Sequence, residues 1–241
     1  LNENNVDLSI LNNLTNKNSF ESNYTVIDET DDFIVILKKY GIAVQATDKN
    51  VYDLETVLNT KYKEQVHVLN RIDQPVSGLV IFGKNKVFSA EFTEMLKART
   101  VKKTYLALVA GTPNQEKTEL HHFIKKLHNR AMTADEQVDE NFKEAILEYS
   151  LLQSFDNYHL LKIDLKTGRF HQIRAQLATV ELPIKGDLKY GSRRPNLDRS
   201  ICLVSYKLEF IHPFTGKKHE YTSPLPDNDV IWGLVDQSLI E

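Results

Sequence analysis

The chain has 241 residues, 41% hydrophobic, 26% charged and 9% aromatic, and with its nine Gly it sits at the globular apolar norm, so a disordered, collagen-like or disulfide-stapled chain is excluded. Its 30 Lys and Arg stand against 33 Asp and Glu, a net −3, which at face value argues against a nucleic-acid binder, whose usual footprint is a basic excess. A single cysteine, Cys202, allows no internal disulfide and no Cys-based zinc site, and no run approaches the roughly 20 apolar residues of a membrane-spanning helix. Residues 1–20 are Asn-rich and polar where a signal peptide needs an apolar run, so a soluble, cytoplasmic protein is expected.

In chain order, residues 1–20 show no clear period and read as a polar arm, or a short helix, before a domain over 21–241. Tyr24–Ile27 and Phe33–Leu37 are short apolar runs around Asp28–Asp32, a hairpin signal that Gly41 and Ile42–Val44 continue. Leu54, Val57 and Leu58 have helical spacing behind Asp53, a suitable N-cap. The turn-like segment Asn70–Gly78 feeds a buried strand, Leu79–Phe82. Phe88, Phe92, Met95 and Leu96 mark an amphipathic helix closed by Lys97 and Arg99, whose charge suits the helix dipole. Val101–Ala110 is a strand ended by Gly111-Thr-Pro113.

Residues 114–142 carry charge in blocks with no sustained period and read as a long insertion with a weak hairpin. Its His121, His122 and His128 lack ligand spacing and are expected at the surface, solvated or touching phosphate. Ala145–Phe155 and Tyr158–Leu165 flank Asp156-Asn157, a hairpin turn. A helix bearing Ile173, Leu177 and Val180 follows Thr167–Phe170. Cys202–Ile211 alternates and turns through Pro213–Gly216 into Lys218–Thr222. Strands interspersed with helices and joined by hairpins predict an α+β fold, a mixed, largely antiparallel sheet with flanking helices and not a parallel doubly wound one.

No phosphate-binding glycine loop, dinucleotide fingerprint, His-Glu-x-x-His or Gly-x-Ser-x-Gly is present in the chain. Three segments do carry chemistry. Asn70-Arg71-Ile-Asp73-Gln-Pro-Val76-Ser-Gly78 sets a carboxylate at the mouth of a buried strand, placed to act as nucleophile or base, although its composition is also that of an ordinary turn. Thr167-Gly-Arg169-Phe-His171-Gln-Ile-Arg174 opens a helix with His171 and Arg174 on one face, and an inward Arg there requires a carboxylate partner, structural or functional. Lys102-Lys103-Thr-Tyr105 leads cations into a strand with one polar-tipped aromatic, which suits phosphate contact and base stacking, or plain core.

In order and spacing these segments resemble the RluA-type pseudouridine synthases, which isomerise uridine in ribosomal or transfer RNA. The family's His-Arg-Leu-Asp-x-x-Thr-Ser-Gly corresponds to Asn70–Gly78, its Lys-x-Tyr-x-Ala to Lys103–Ala107, and its Thr-Gly-Arg-x-His-Gln-Ile-Arg to Thr167–Arg174. Gly186-Asp-Leu-Lys-Tyr-Gly191, Leu203–Pro213 and the opening strand pair over 27–44 agree as well, so the likeness runs from Tyr24 to Ser223. The resemblance implies the pseudouridine synthase catalytic fold with a central RNA-binding cleft. It implies Asp73 as the catalytic carboxylate, Tyr105 as the aromatic stacking on a flipped base, Arg174 as the partner of Asp73, Arg71 as the arginine filling the gap left by the base, and Leu203 beneath the uracil. Lys102, Lys103, Arg169 and His171 complete the expected RNA-binding set. His and Thr of the family motif are replaced by Asn70 and Val76, which leaves the effect on loop hydrogen bonding and substrate choice open.

The expected activity is isomerisation of uridine in structured ribosomal or transfer RNA by a monomer, with no metal, no cofactor and no membrane. Its rivals are a non-catalytic RNA-binding protein on the same scaffold and a base-releasing N-glycosidase. Many members of the family carry a small N-terminal RNA-binding domain, and the expectation is either reliance on the catalytic domain or an upstream part. The net charge is also a sum over unlike regions: residues 97–130 hold eight Lys or Arg against two acids, and residues 162–199 hold nine against four. If both stretches line one cleft, a local field attracts phosphates despite the net acidity.

Overall fold

The computed structural model describes residues 23–46, 53–63 and 65–240, so the expected arm over 1–20 lies outside the described residues. Strands β1 Tyr24–Glu29, β2 Phe33–Lys38, β3 His67–Val68, β4 Ser77–Gly83, β5 Lys102–Val109, β6 Lys117–Leu127, β7 Arg130–Ala134, β8 Lys143–Ser154, β9 His159–Leu165, β10 Leu203–Ile211 and β11 Lys218–Thr222 join in one sheet. The order is β1-β2-β4-β10-β5-β9-β8-β6-β7, with β3 beside β4 and β11 beside β10. Among the described strands, β4 and β10 alone run parallel, so the sheet is mixed and largely antiparallel as the hairpin signals predict. Helices α1 Leu54–Tyr62, α2 Lys86–Lys97 and α3 Gln172–Thr179 flank it.

Alternation along the central strands divides the core in two. Phe33 and Val35 of β2 and Leu79 and Ile81 of β4 face α2, where they meet Phe88 and Phe92. Ile34, Ile36, Val80 and Phe82 point the other way, into the main core with Leu54 and Leu58 of α1 and Ile173 and Leu177 of α3. Burial on both faces explains why Leu79–Phe82 is a continuous apolar run rather than an alternating one. Each buried Phe contributes about 1.5–3 kcal/mol relative to exposure. Caps define the helix starts: Asp53 Oδ1 accepts from Thr56 N at 2.8 Å, and Asn85 Oδ1 from Phe88 N at 2.8 Å.

Two expectations need correction. Ile42–Val44 does not extend the first hairpin: Gly41 (φ +89°) turns the chain away, and among the described residues the segment makes one bridge, Ala43 to Asp53. The region 114–142 does hold the expected hairpin, β6 turning into β7, but it is part of the main sheet rather than an insertion, because the 11-residue β6 also pairs along β8. Leu120, His122 and Ile124 form its buried row. A histidine in the middle position hid the period.

One glycine fixes where the site can form. Gly78 has φ +116°, and a Cβ there would lie 2.3 Å from the Ser205 carbonyl oxygen. Only glycine lets β4 start hard against β10, and Asp73 sits in the loop that feeds this crossing.

Candidate active site

The segment 70–76 is bound to its surroundings by its own backbone. Val76 N donates to Asp73 O (3.0 Å), Ile201 N to Pro75 O (3.2 Å) and Gly41 N to Gln74 O (2.8 Å). Behind it lies Lys38, with no exposed surface, whose Nζ donates to Lys39 O and Ile42 O (both 2.9 Å) and to Gln74 O (3.3 Å). Burial pulls the Lys38 pKa down to about 7 against the opposing pull of the Asp73 charge. Asn70, where the resembling motif has His, accepts from Ile81 N at 2.7 Å and so extends the β3–β4 ladder. Val76 is buried core. Both departures thus serve the loop's frame and also reach the site, Asn70 at the cleft wall and Val76 at the inner recess.

Arg174 stands between two aspartates. Its Nη1 donates to Asp73 Oδ2 at 2.9 Å, while Nε and Nη2 clamp Asp187 Oδ2 and Oδ1 at 2.6 and 2.8 Å. The Arg174 and Asp187 side chains are 5% and 2% exposed, that of Asp73 24%. One aspartate therefore fixes the guanidinium while the other keeps a face to the cleft. Burial by itself would lower the Arg174 pKa, but hydrogen bonds and charge from Asp187, then Asp73, hold it above its ordinary value. The Arg174 guanidinium also lies 5.0 Å from the Tyr190 ring centroid.

His171 enters α3 in a left-handed conformation (φ 51°), which costs a non-glycine residue about 1–2 kcal/mol and aims the imidazole inward. Its Nε2 lies 3.6 Å from Asp73 Oδ2, and its Nδ1 lies 2.9 Å from the Tyr190 hydroxyl. Burial pulls its pKa down to about 4, with Asp73 opposing and Arg174 and Lys189 adding to the fall, so it is neutral at pH 7. A buried chain of amides anchors the helix: Thr167 Oγ1 donates to Gln172 Oε1, Gln172 Nε2 to Gln176 Oε1, and Gln176 Nε2 to Leu120 O and Ala145 O.

Tyr105, Leu203, Val76 and Ile173 join Asp73, His171 and Arg174 around an inner recess. Tyr105 is buried beside Ser205 of β10, and burial pushes its phenol up to about 12. The recess opens into a cleft of about 1320 Å³. Lys97, Arg99, Lys103 and Lys126 from the first basic stretch and Lys166, Arg169 and Lys189 from the second line it, together with Arg71. Both stretches therefore reach one concavity. Burial lowers the Lys103 pKa there.

Lys102 is the exception among the expected residues. Strand period two turns it to the face of β5 opposite Lys103 and Tyr105, where it pairs in register with Glu209 and lies outside the cleft lining. The three histidines of the 114–142 region also part company. His128 lines the cleft, His121 faces Glu144 at 3.3 Å, and His122 is a buried core residue, 3.0 Å from Gln176 Nε2, rather than a surface one. Sequence reasoning assigned no role to Asp187 and Tyr190, although Gly186-Asp187-Leu-Lys-Tyr190-Gly191 was visible as a motif. A buried arginine needing two partners was the available signal.

The profile of a family described as RNA pseudouridylate synthase matches residues 32–179. An uncharacterized RNA pseudouridine synthase of Chloroflexus aurantiacus is 34% identical over 161 residues, 66% of this chain and 50% of that protein. Ribosomal large subunit pseudouridine synthase D of Haemophilus influenzae is 30% identical over 227 residues, 85% of this chain and 68% of that protein. The chain thus spans 50 to 68% of the length of these two relatives. The solved human protein RNA Pseudouridylate Synthase Domain Containing 4 shares the fold, with a TM-score of 0.74 at 18% identity over 92% of this chain and 96% of that one.

Proposed function

This chain belongs to the RluA-type family of RNA pseudouridine synthases, and from that premise we propose that its cleft isomerises uridine to pseudouridine in structured RNA. The observation that carries the reading is Asp73 held by a buried, doubly paired Arg174 at the floor of a cation-lined cleft, with Tyr105 beside it. Relatives named for the ribosomal large subunit make ribosomal RNA the first substrate to try, with transfer RNA second. The reading extends to a cytoplasmic monomer whose residues 21–241 form one catalytic domain.

A stacked, paired uracil cannot turn about its ribose, so the nucleotide is first flipped into the recess at a cost of a few kcal/mol. Tyr105 and Leu203 offset part of that cost by stacking and apolar contact, and Arg71 fills the space left behind. Cleft cations, Lys103 and Arg169 among them, hold phosphates. Asp73 acts on the ribose in one of two ways, by attack on C1′ or by removing the C2′ proton, and the C1′–N1 bond breaks. The freed uracil turns and C1′–C5 forms as the Asp73–C1′ ester breaks, or as Asp73 returns the C2′ proton; C5 then loses its proton and N1 gains one. Burial pushes the Tyr105 phenol up to about 12, so it is protonated at neutral pH, and the C5 proton leaves to water directly or by way of Tyr105. An isomerisation balanced in this way needs no oxidant, reductant or nucleotide.

The test is the purified chain on RNA carrying 5-tritiated uridine. Tritium release without free uracil is expected, and Asp73→Asn abolishes it. Free uracil would mean an N-glycosidase, and binding without either product a non-catalytic binder.

A further inference from the structure

Three polar groups run in line behind Asp73. Ala131 N, at the start of β7, donates to the Tyr190 hydroxyl oxygen at 2.6 Å. The same hydroxyl lies 2.9 Å from His171 Nδ1, and His171 Nε2 lies 3.6 Å from Asp73 Oδ2. An amide N–H can only donate, so the Tyr190 oxygen is already an acceptor. If His171 also donated from Nδ1, this buried hydroxyl would accept twice, its own proton would lack an acceptor among the described residues, and a bare Nε2 lone pair would face the Asp73 carboxylate. Both penalties vanish when Tyr190 donates to Nδ1 and the imidazole carries its proton on Nε2.

We propose that His171 is a positioning residue for Asp73: a neutral imidazole whose single proton the Ala131–Tyr190 relay fixes on Nε2, so that Asp73 faces an N–H and never a basic lone pair. This rests on the reading of Asp73 as the catalytic carboxylate. The Phe170 ring, stacked on the imidazole at 3.8 Å between centroids and tilted by 17°, holds it in plane. The charged groups facing it are Asp73 on the loop before β4, Arg174 on α3, and Asp187 and Lys189 after α3, with Lys126 over the Phe170 ring (4.8 Å) and Arg130 over the Tyr190 ring (5.3 Å). Arg174 Nη1 and His171 Nε2 both address Oδ2, so among the described residues Oδ1 is the oxygen left to the ribose. At 3.6 Å the His171 contact is electrostatic rather than a hydrogen bond, and a shift of a few tenths of an ångström on RNA binding would close it. His171 is thereby excluded as the base that takes the C5 proton, because Nε2 is already protonated and has no lone pair to offer.

Nitrogen-15 NMR of histidine-labelled protein without RNA reads the proton directly, with the His171 signals assigned by their loss in His171→Gln. A neutral ring with its proton on Nε2 at pH 7 is expected, and Tyr190→Phe should release it into a mixture of tautomers. An Nδ1–H ring or an imidazolium at pH 7 overturns the proposal. In single-turnover tritium release from unmodified large-subunit ribosomal RNA, His171→Ala should fall about 10-fold or more and His171→Gln, which keeps an N–H near the Nε2 position, within about 3-fold of wild type. A Gln variant as slow as the Ala variant also overturns it. If the wild-type chain releases no tritium, the reaction proposed above fails, while the NMR spectrum by itself still upholds or overturns the proton assignment. Should His171→Ala not fold, the wild-type spectrum and the Gln variant decide.

Discussion

Arg174 is shared by two aspartates that differ in burial, and substituting each in turn should separate stability from activity. Asp187→Asn removes the anion from the bidentate side of a pair 5% and 2% exposed, and the replacement amide keeps only one acceptor. Opposite charges about 4 Å apart at an effective dielectric constant near 20 interact by about 4 kcal/mol, which agrees with the 3–5 kcal/mol typical of breaking a buried pair. A loss of about 3 kcal/mol lowers the melting temperature of a domain this size by about 6–12 °C. Asp73→Asn weakens one hydrogen bond, from Arg174, and the longer His171 contact on a side chain that is 24% exposed, so its stability cost should stay below about 1 kcal/mol while turnover is lost. The assay pairs urea denaturation with single-turnover tritium release for both variants. If Asp73→Asn destabilised as much as Asp187→Asn, or Asp187→Asn unfolded within about 1 kcal/mol of wild type, the division of labour inferred from burial would be wrong.

Lys38→Met leaves the carbonyls of Lys39, Ile42 and Gln74 without their shared donor and should cost about 1–3 kcal/mol by chemical denaturation, with slower turnover because the Asp73 loop loosens. Because burial lowers the folded pKa of Lys38 to about 7, below its value of 10.5 in the unfolded chain, the unfolded state binds more protons between those values and stability rises with pH there. The wild-type advantage over Lys38→Met should therefore grow by about 2 kcal/mol from pH 7 to pH 9, and a flat difference would refute it. RNA affinity should be salt-sensitive. Four phosphate contacts in the cleft imply a fall of about 50-fold between 50 and 200 mM salt, measured by fluorescence anisotropy on a single-stranded RNA. In the same assay Arg169→Ala should weaken binding, and Lys102→Ala, on the far face of β5, should not.

Much of the fold is written in local patterns. Helical spacing and an Asp cap placed α1, and paired runs around Asp28–Asp32 and Asp156-Asn157 placed two hairpins, because both signals depend only on residues a few positions apart. The reading faltered where a polar residue serves the interior. In β6, His122 occupies a core position because Gln176, 54 residues away, stands 3.0 Å from it. Ile42–Val44 has strand composition, yet a buried lysine takes the Ile42 carbonyl and the first amides of α1 take those of Ala43 and Val44.

The site shows the same division. Asp73, Tyr105 and Arg174 were legible from motif order, and the need of an inward arginine for a carboxylate was legible from its charge. Their meeting was not: Asp73 and Arg174 are 101 residues apart, and the contact exists because Gly78 lets β4 pack against β10 while the amide chain of Gln172 and Gln176 fixes α3 over β6 and β8. Which of two neighbouring lysines faces the cleft depended on the phase of β5, and the proton on His171 on an amide of β7 and a hydroxyl 19 residues downstream. Sequence alone determined the residue types, their local periodicity and the chemistry they can support, since these follow from near neighbours along the chain. The tertiary structure decided which aspartate fixes Arg174 and which one keeps a face to the cleft, because burial and hydrogen-bond partnership are set by residues distant in the chain and close in space.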